Sequence, residues 1–397
     1  MQKTTHHFAR RVNDLSESAI FRIGARAKAL THDGHDIVRL DAGEPDFNTP
    51  QGIIDAAKQA LDDGFTRYTE IGGLPQLKDA IQRKLEIENH LHYSHEQIMH
   101  TCGAKQGLFN ACLSLLGPGD EIVIPTPHWG TYPAIADIAA AKIVNVTTRY
   151  EDGFVLTPES LESALTDRTR VLILNSPNNP TGQVYSREDL AALGNVLLKY
   201  PNVVILSDDI YEHLRFSDVP YTNIVNVCPS LKNRTVVING VSKAYAMTGW
   251  RVGFAAGPED IIKEMQKLQG QTNSHTAAVS QVAATAALNG GLDEVKKMTQ
   301  VFSDRAHQVA DGLKKIERIK CLPAQGSFYC LPDFSPVIES LSDVNDDREL
   351  ADWLLDELGI AMIPGSAFNA PGHMRLSFAA NDQSIQKGLV RLKQAFA

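Results

Sequence analysis

The 397-residue chain reads as an α/β protein, a mostly parallel sheet covered on both faces by helices, with a smaller α+β domain beside it. Three observations predict this. Between about residue 98 and residue 256, short apolar runs alternate with helical stretches, which is strand–helix repetition. The residues with chemical potential all follow those runs, at one edge of the predicted sheet, where open α/β folds hold their ligands. From about residue 318 the composition changes, and short strand candidates alternate with helices to the C-terminus.

In chain order, Ala19, Ile20, Ile23, Ala27 and Leu30 recur at helical spacing, with Gly34 as a stop. The segment 41–50 is a loop by composition. A helix is predicted from Gln51 to Asp63, a loop over 66–73, and a second helix from Leu74 to Asn89. A strand from Ile98 runs through Gly103-Ala-Lys105 into the apolar helix Leu108–Leu116. Free N–H groups at such a helix start favour an anion. The strand Glu121–Pro125 precedes a turn at Pro127-His-Trp129 and a helix through Ala140. The strand Val171–Leu174 enters a rigid, amide-rich loop, Asn175-Ser-Pro-Asn-Asn-Pro-Thr-Gly182. After a helix from Arg187 to Lys199, the strand Val203–Leu206 ends in Ser207-Asp208-Asp209-Ile210-Tyr211. An aspartate at such a strand end is costly to bury without a cation. The run Val236–Ile238 leads to Ser242, Lys243 and Arg251. A lysine there, if buried beside cations, becomes a nucleophile toward an aldehyde, and an arginine fork suits a phosphate. Residues 258–316 read as helical, and the last region carries strands at Ser327–Leu331 and Met374–Phe378 and helices at Glu349–Glu357 and Gln383–Ala395.

The bulk numbers narrow the class. A net charge of −9 argues against a dedicated nucleic-acid or anionic-membrane binder. The five cysteines are odd in number and lack metal-like spacing, so reduced thiols, no metal site and a cytoplasmic location are expected. No apolar run is long enough to span a bilayer. Neither a Walker A loop nor G-x-G-x-x-G occurs, which disfavours a nicotinamide dehydrogenase.

Seven motifs in one order carry a resemblance over nearly the whole chain. They are Gly43-Glu-Pro-Asp-Phe47, Tyr68 with Gly72-Gly73, Gly103-Ala-Lys-Gln106, Asn175 to Gly182, Asp208-x-x-Tyr211, Ser242-Lys243 to Gly249-Trp-Arg251, and Met374-Arg-Leu-Ser377. The sequence resembles the class I/II aminotransferases that use pyridoxal phosphate (fold type I), and within them the bacterial aspartate aminotransferases. The resemblance implies a PLP-binding domain over 46–300 and a small domain from 301–397 with part of the segment 1–45. It implies that Lys243 bonds to the cofactor aldehyde and then shuttles the substrate's proton. It implies that Asp208 pairs with the pyridine N–H, that Tyr211 and Asn179 bond the phenolic oxygen, and that Trp129 stacks on the ring. Gly103, Ala104, Ser242 and Arg251 would cup the phosphate, and Tyr68 would reach the phosphate of a partner subunit, giving a homodimer with shared sites. Arg375 would clamp the substrate α-carboxylate with help from Gly43 and Asn179. Lys105, assisted by Ser18, would read a side-chain carboxylate, or else serve only as a cationic neighbour of the phosphate. The implied reaction is L-aspartate plus 2-oxoglutarate to oxaloacetate plus L-glutamate, by a ping-pong route.

Some residues depart from the family pattern. Gly240 stands where many relatives carry a serine, so one phosphate donor is lost or replaced. Ile20 and Phe21 make the wall after Ser18 more apolar. His275 falls in a segment that would approach the partner's site, facing a ligand or packing. These differences open the alternatives of an aromatic, methionine-like or prephenate-type donor. A PLP-dependent C–S lyase shares the same lysine chemistry, whereas a regulator built on this fold would need an added DNA-binding domain.

Overall fold

The computed structural model describes residues 6–13, 15, 17, 19–216 and 221–396. Its centre is a seven-stranded sheet: β1 (Ile98–Thr101), β2 (Glu121–Thr126), β3 (Lys142–Thr147), β4 (Thr169–Asn175), β5 (Val204–Asp208), β6 (Thr235–Gly240) and β7 (Gly253–Ala256), in the spatial order β1-β7-β6-β5-β4-β2-β3. Only β7 runs against its neighbours, β1 and β6. The other ladders are parallel, so the carboxyl ends of six strands share one edge.

The strands are continuous apolar runs because both faces are covered. Leu172, Leu174 and Val237 enter the core on one face, while Val171, Ile173, Val236 and Ile238 enter the core on the other. This is the two-residue side-chain alternation of a strand. Several elements escaped the sequence reading, among them β3, β7 and the helix Pro158–Ala164. The reason is physical. β3 is an edge strand whose Lys142, Asn145 and Thr147 are exposed, so it lacks the apolar run that marks its neighbours.

A second core gathers both ends of the chain. Ile23, Val38 and Leu40 pack with Phe302, Phe328, Leu350, Leu376 and Phe396. The strand Val38–Arg39 pairs in parallel with Ile360–Ala361, and Met374–Ser377 lies between Tyr329–Cys330 and Ile363–Pro364. The helix Asp293–Leu313 serves both cores: Val295 belongs to the first, and Phe302, Ala306, Val309 and Leu313 to the second. No described helix is long and apolar enough to cross a membrane.

Candidate active site

The shared strand edge opens onto a cavity of about 590 Å³. Of the residues singled out from the sequence, Gly43, Ala104, Lys105, Trp129, Asn179, Asp208, Tyr211, Ser242, Lys243, Arg251 and Arg375 line it. Gly103 lies just behind the wall. Tyr68 is on the surface, 92% exposed. Ser18 lies outside the described residues.

Lys243 follows β6, and its Nζ donates to the Gly43 carbonyl at 2.6 Å. The amine sits 5.9 Å from the Tyr211 ring centre and 5.7 Å from that of Phe328. Burial brings its pKa down to about 8; Glu44 opposes the shift, and the charges of Arg375 and Arg251 add to it. At a pKa of about 8, about a tenth of this amine is unprotonated at pH 7, a far larger share than for a solvated lysine, and that is the form a nucleophile or base needs.

Asp208 closes β5. Tyr132 Oη donates to its Oδ2 at 2.6 Å, and the Ile210 N–H reaches its Oδ1 at 3.4 Å. Burial pushes its pKa up to about 6 in spite of these bonds. Asn175, at the end of β4, ties this corner together: its amide donates to the Asp208 carbonyl at 2.8 Å, and its Oδ1 accepts from the Asn179 N–H at 3.0 Å. Burial also raises the Tyr211 pKa well above the ordinary phenol value, keeping its hydroxyl a donor.

Arg375 is 1% exposed and lies between the rings of Tyr329 and Phe368, at 4.3 and 4.9 Å. Its Nη1 donates to Asn179 Oδ1 at 3.2 Å and its Nη2 to the Asp41 carbonyl at 3.0 Å. Its Nε is buried with no partner. A buried guanidinium with a free donor is prepared for an external acceptor.

The anion corner is built from backbone. The helix Ala104–Leu115 begins directly after Gly103, earlier than the predicted Leu108, so Ala104 and Lys105 carry open N–H groups at its N-terminus. Gly103 has φ +76°, and a Cβ there would lie 2.5 Å from Arg251 Nη2. Arg251 is aimed by its Nη1 bond to the Thr248 carbonyl, 2.7 Å. The glycine at 240 has a spatial cause: a Cβ there would meet Gly253 Cα and the Val252 carbonyl at 2.8 Å, in the β6–β7 ladder. Lys105 Nζ stands 4.8 Å from the Trp129 ring, and burial, then the Arg251 charge, lowers its pKa. His275 is not among the residues lining this chain's own cavity. It packs edge-on against Tyr68 at 5.6 Å and accepts the Thr69 N–H at Nε2.

One cavity thus offers an amine able to attack a carbonyl, a corner for a phosphate and a guanidinium for a carboxylate. A family model described as aminotransferase class I and II matches residues 35–392. The chain belongs to the class I and II aminotransferases. Among similar aminotransferases, the aspartate/prephenate aminotransferase of Nitrosomonas europaea is 43% identical over 389 residues, covering 97% of this chain and 98% of the relative. The aspartate aminotransferase of Rhizobium meliloti is 42% identical over 391 residues, 98% and 95% of the two chains. A solved structure of the Rhizobium meliloti enzyme superposes with a TM-score of 0.94 at 41% identity, covering 98% of this chain and 99% of that one. The Thermus thermophilus aspartate aminotransferase with maleate gives 0.93 at 36% identity, 99% and 100%.

The aminotransferase cavity also holds residues that the sequence reading passed over. Tyr132 supports Asp208, Tyr329 flanks Arg375 and bonds Tyr211 Oη at 3.5 Å, and Arg39 pairs with Asp41. Only Tyr132 had a local signal, three residues after Trp129, which lies just ahead of the helix and whose carbonyl accepts the Tyr132 N–H.

Proposed function

We propose that this aminotransferase uses pyridoxal phosphate and moves the amino group of L-aspartate to 2-oxoglutarate, giving oxaloacetate and L-glutamate in two half-reactions. Three features fit that cofactor. Asp208 is a buried carboxylate whose hydrogen-bond donors are a phenol and a backbone N–H; a pyridine N–H would complete it. The open N–H groups after Gly103, with Ser242 and Arg251, suit a phosphate, and any side chain at residue 103 would fill that corner. Lys243 brings the amine that an aldehyde requires. Trp129, Tyr211 and Asn179 would hold the ring and its phenolic oxygen.

When bound, the cofactor supplies an electron-withdrawing ring that stabilises the electron pair left as the substrate's Cα–H bond breaks. The chain's own groups do the rest. Lys243 Nζ takes the proton from Cα, for which its lowered pKa suits it. Asp208 keeps a negative charge against the ring nitrogen's proton. Arg375 and Asn179 clamp the α-carboxylate, fixing which Cα bond is aligned for cleavage. Lys105, at the cavity mouth, would receive the side-chain carboxylate of aspartate.

The juxtaposition of the Lys243 amine, the Asp208 carboxylate and the half-paired Arg375 guanidinium in one cavity carries this reading. The substrate follows from relatives that act on aspartate at about 40% identity. Ile20 and Phe21 in the wall favour a second reading, in which the cavity also takes a larger, less polar donor of the aromatic or prephenate type. We further propose a homodimer in which the partner subunit's Tyr68 reaches the phosphate corner; a tyrosine 92% exposed in the single chain fits that use.

The test is a panel of amino donors with 2-oxoglutarate. Aspartate should lead in kcat/KM; a lead of about tenfold or more for phenylalanine would overturn the donor assignment. Lys243→Ala should lower kcat by at least the order of 10²–10⁴-fold expected for a lost general base. Undiminished turnover in that variant would sink the mechanism as a whole.

A further inference from the structure

We infer that Arg39 is a positioning residue for the substrate-carboxylate clamp, acting through Asp41 on Arg375. The inference rests on the role given to Arg375 above. Asp41 is 4% exposed, and its carboxylate accepts from Arg39 Nε at 2.6 Å and from Nη2 at 2.8 Å, a two-pronged pair. The backbone carbonyl of the same Asp41 accepts from Arg375 Nη2. The two arginines therefore share one residue: one holds its side chain, the other its main chain.

The segment around this residue is strapped on both sides. The Leu40 N–H donates to the Ala361 carbonyl at 3.0 Å, and its carbonyl accepts from the Ser377 N–H at 2.8 Å. The helix Ala19–His32 covers Asp41, and Gly24 leaves the room: a Cβ there would stand 3.3 Å from Asp41 Oδ2. Arg39 itself lines the cavity, its side chain 39% exposed.

Charge gives the pair its purpose. A buried carboxylate on the very residue whose carbonyl meets Arg375 is a rival for the substrate's own carboxylate. Arg39 occupies both of its oxygens, so that only the neutral carbonyl of Asp41 meets Arg375. The guanidinium stays aimed into the cavity with its Nε unpartnered. Without Arg39, the Asp41 carboxylate would turn toward Arg375 or drag the 38–41 segment outward, and either motion spoils the clamp.

The experiment uses the PLP-loaded enzyme and succinate, a non-reacting dicarboxylate, titrated by the change in cofactor absorbance. In Arg39→Ala, the succinate Kd and the KM for aspartate should rise on the order of ten- to a hundredfold, with a smaller fall in kcat and unchanged cofactor retention. Removing the rival charge as well, in Arg39→Ala/Asp41→Asn, should restore most of the succinate affinity. Arg39→Lys should fall between, because an ammonium cannot match two oxygens in parallel, and it decides the matter if Arg39→Ala does not fold. Unchanged succinate binding in the Arg39 variants, or no recovery in the double variant, overturns the inference. Arg375→Ala separates the two layers. If it too leaves succinate binding unchanged, the clamp assignment fails and this inference with it. If it weakens binding while Arg39→Ala does not, only this inference fails.

Discussion

At the scale of the residue, environment converts ordinary side chains into reagents. Lys243 has its pKa lowered to about 8 mainly because its amine is buried, and only then through the charges around it. An amine attacks a carbonyl only when unprotonated, so its reactive fraction grows as pH rises through that value. Capture of pyridoxal phosphate by cofactor-free protein should therefore quicken from about pH 7 to about pH 9 and level off above. Stopped-flow absorbance reads this directly, and a rate still climbing toward pH 10–11, as for a solvated lysine of pKa roughly 10.4, would refute the shift. Lys243, Asp208, Asn179 and Arg375 were legible in the sequence as candidates because each belongs to a motif tied to a strand: Asn179 and Lys243 follow one, Asp208 ends one and Arg375 lies within one. Tyr132, Tyr329 and Arg39 were not, because what defines them is a partner far along the chain.

At the scale of the element, what matters is how closely backbone can approach backbone. The corner proposed for the phosphate exists because a helix starts directly after Gly103, a glycine with φ +76° that follows the strand Ile98–Thr101. Gly103→Ala adds a methyl 2.5 Å from Arg251 Nη2 in a conformation that L residues disfavour. The variant should lose roughly 1–3 kcal/mol of stability in urea denaturation and should bind pyridoxal phosphate more weakly; wild-type cofactor affinity would refute the corner. The glycine at 240 had been read as a missing donor. Its crowding against Gly253 shows it to be a condition of the β6–β7 ladder. Most central strands with an apolar run were found from the sequence, the short buried β7 was not, and β3 was missed because an edge strand can leave much of its length in solvent.

At the scale of the whole molecule, the cavity lies between the core built by the chain ends, which gives its wall Ile210, Tyr211 and Tyr329, and one face of the sheet, which gives Leu108 and Tyr132. Arg375 comes from the core built by the chain ends, and Asp208 and Lys243 from the sheet edge. Tyr68 is 92% exposed in the single chain, with His275 set edge-on against it. Under the proposed homodimer, Tyr68→Ala should weaken cofactor retention on the order of ten- to a hundredfold while sedimentation still reports a dimer, since one phosphate hydrogen bond is worth roughly 1.5–3 kcal/mol. Full retention by a dimeric Tyr68→Ala variant would remove Tyr68 from the site.

By itself the sequence determined the α/β class, most of the central strands and the family, and it pointed to the principal candidate groups. Each of these is written in local order: an apolar run, a turn, then a residue type that chemistry needs. The tertiary structure alone decided that Asp41 and Arg375, 334 residues apart, share a hydrogen bond, and that Lys243 meets a carbonyl 200 residues earlier. It also decided which charges are neutralised and which are left open. Desolvation and ion pairing act through space and fall off steeply with distance, so their outcome is fixed only once folding has set which groups are neighbours.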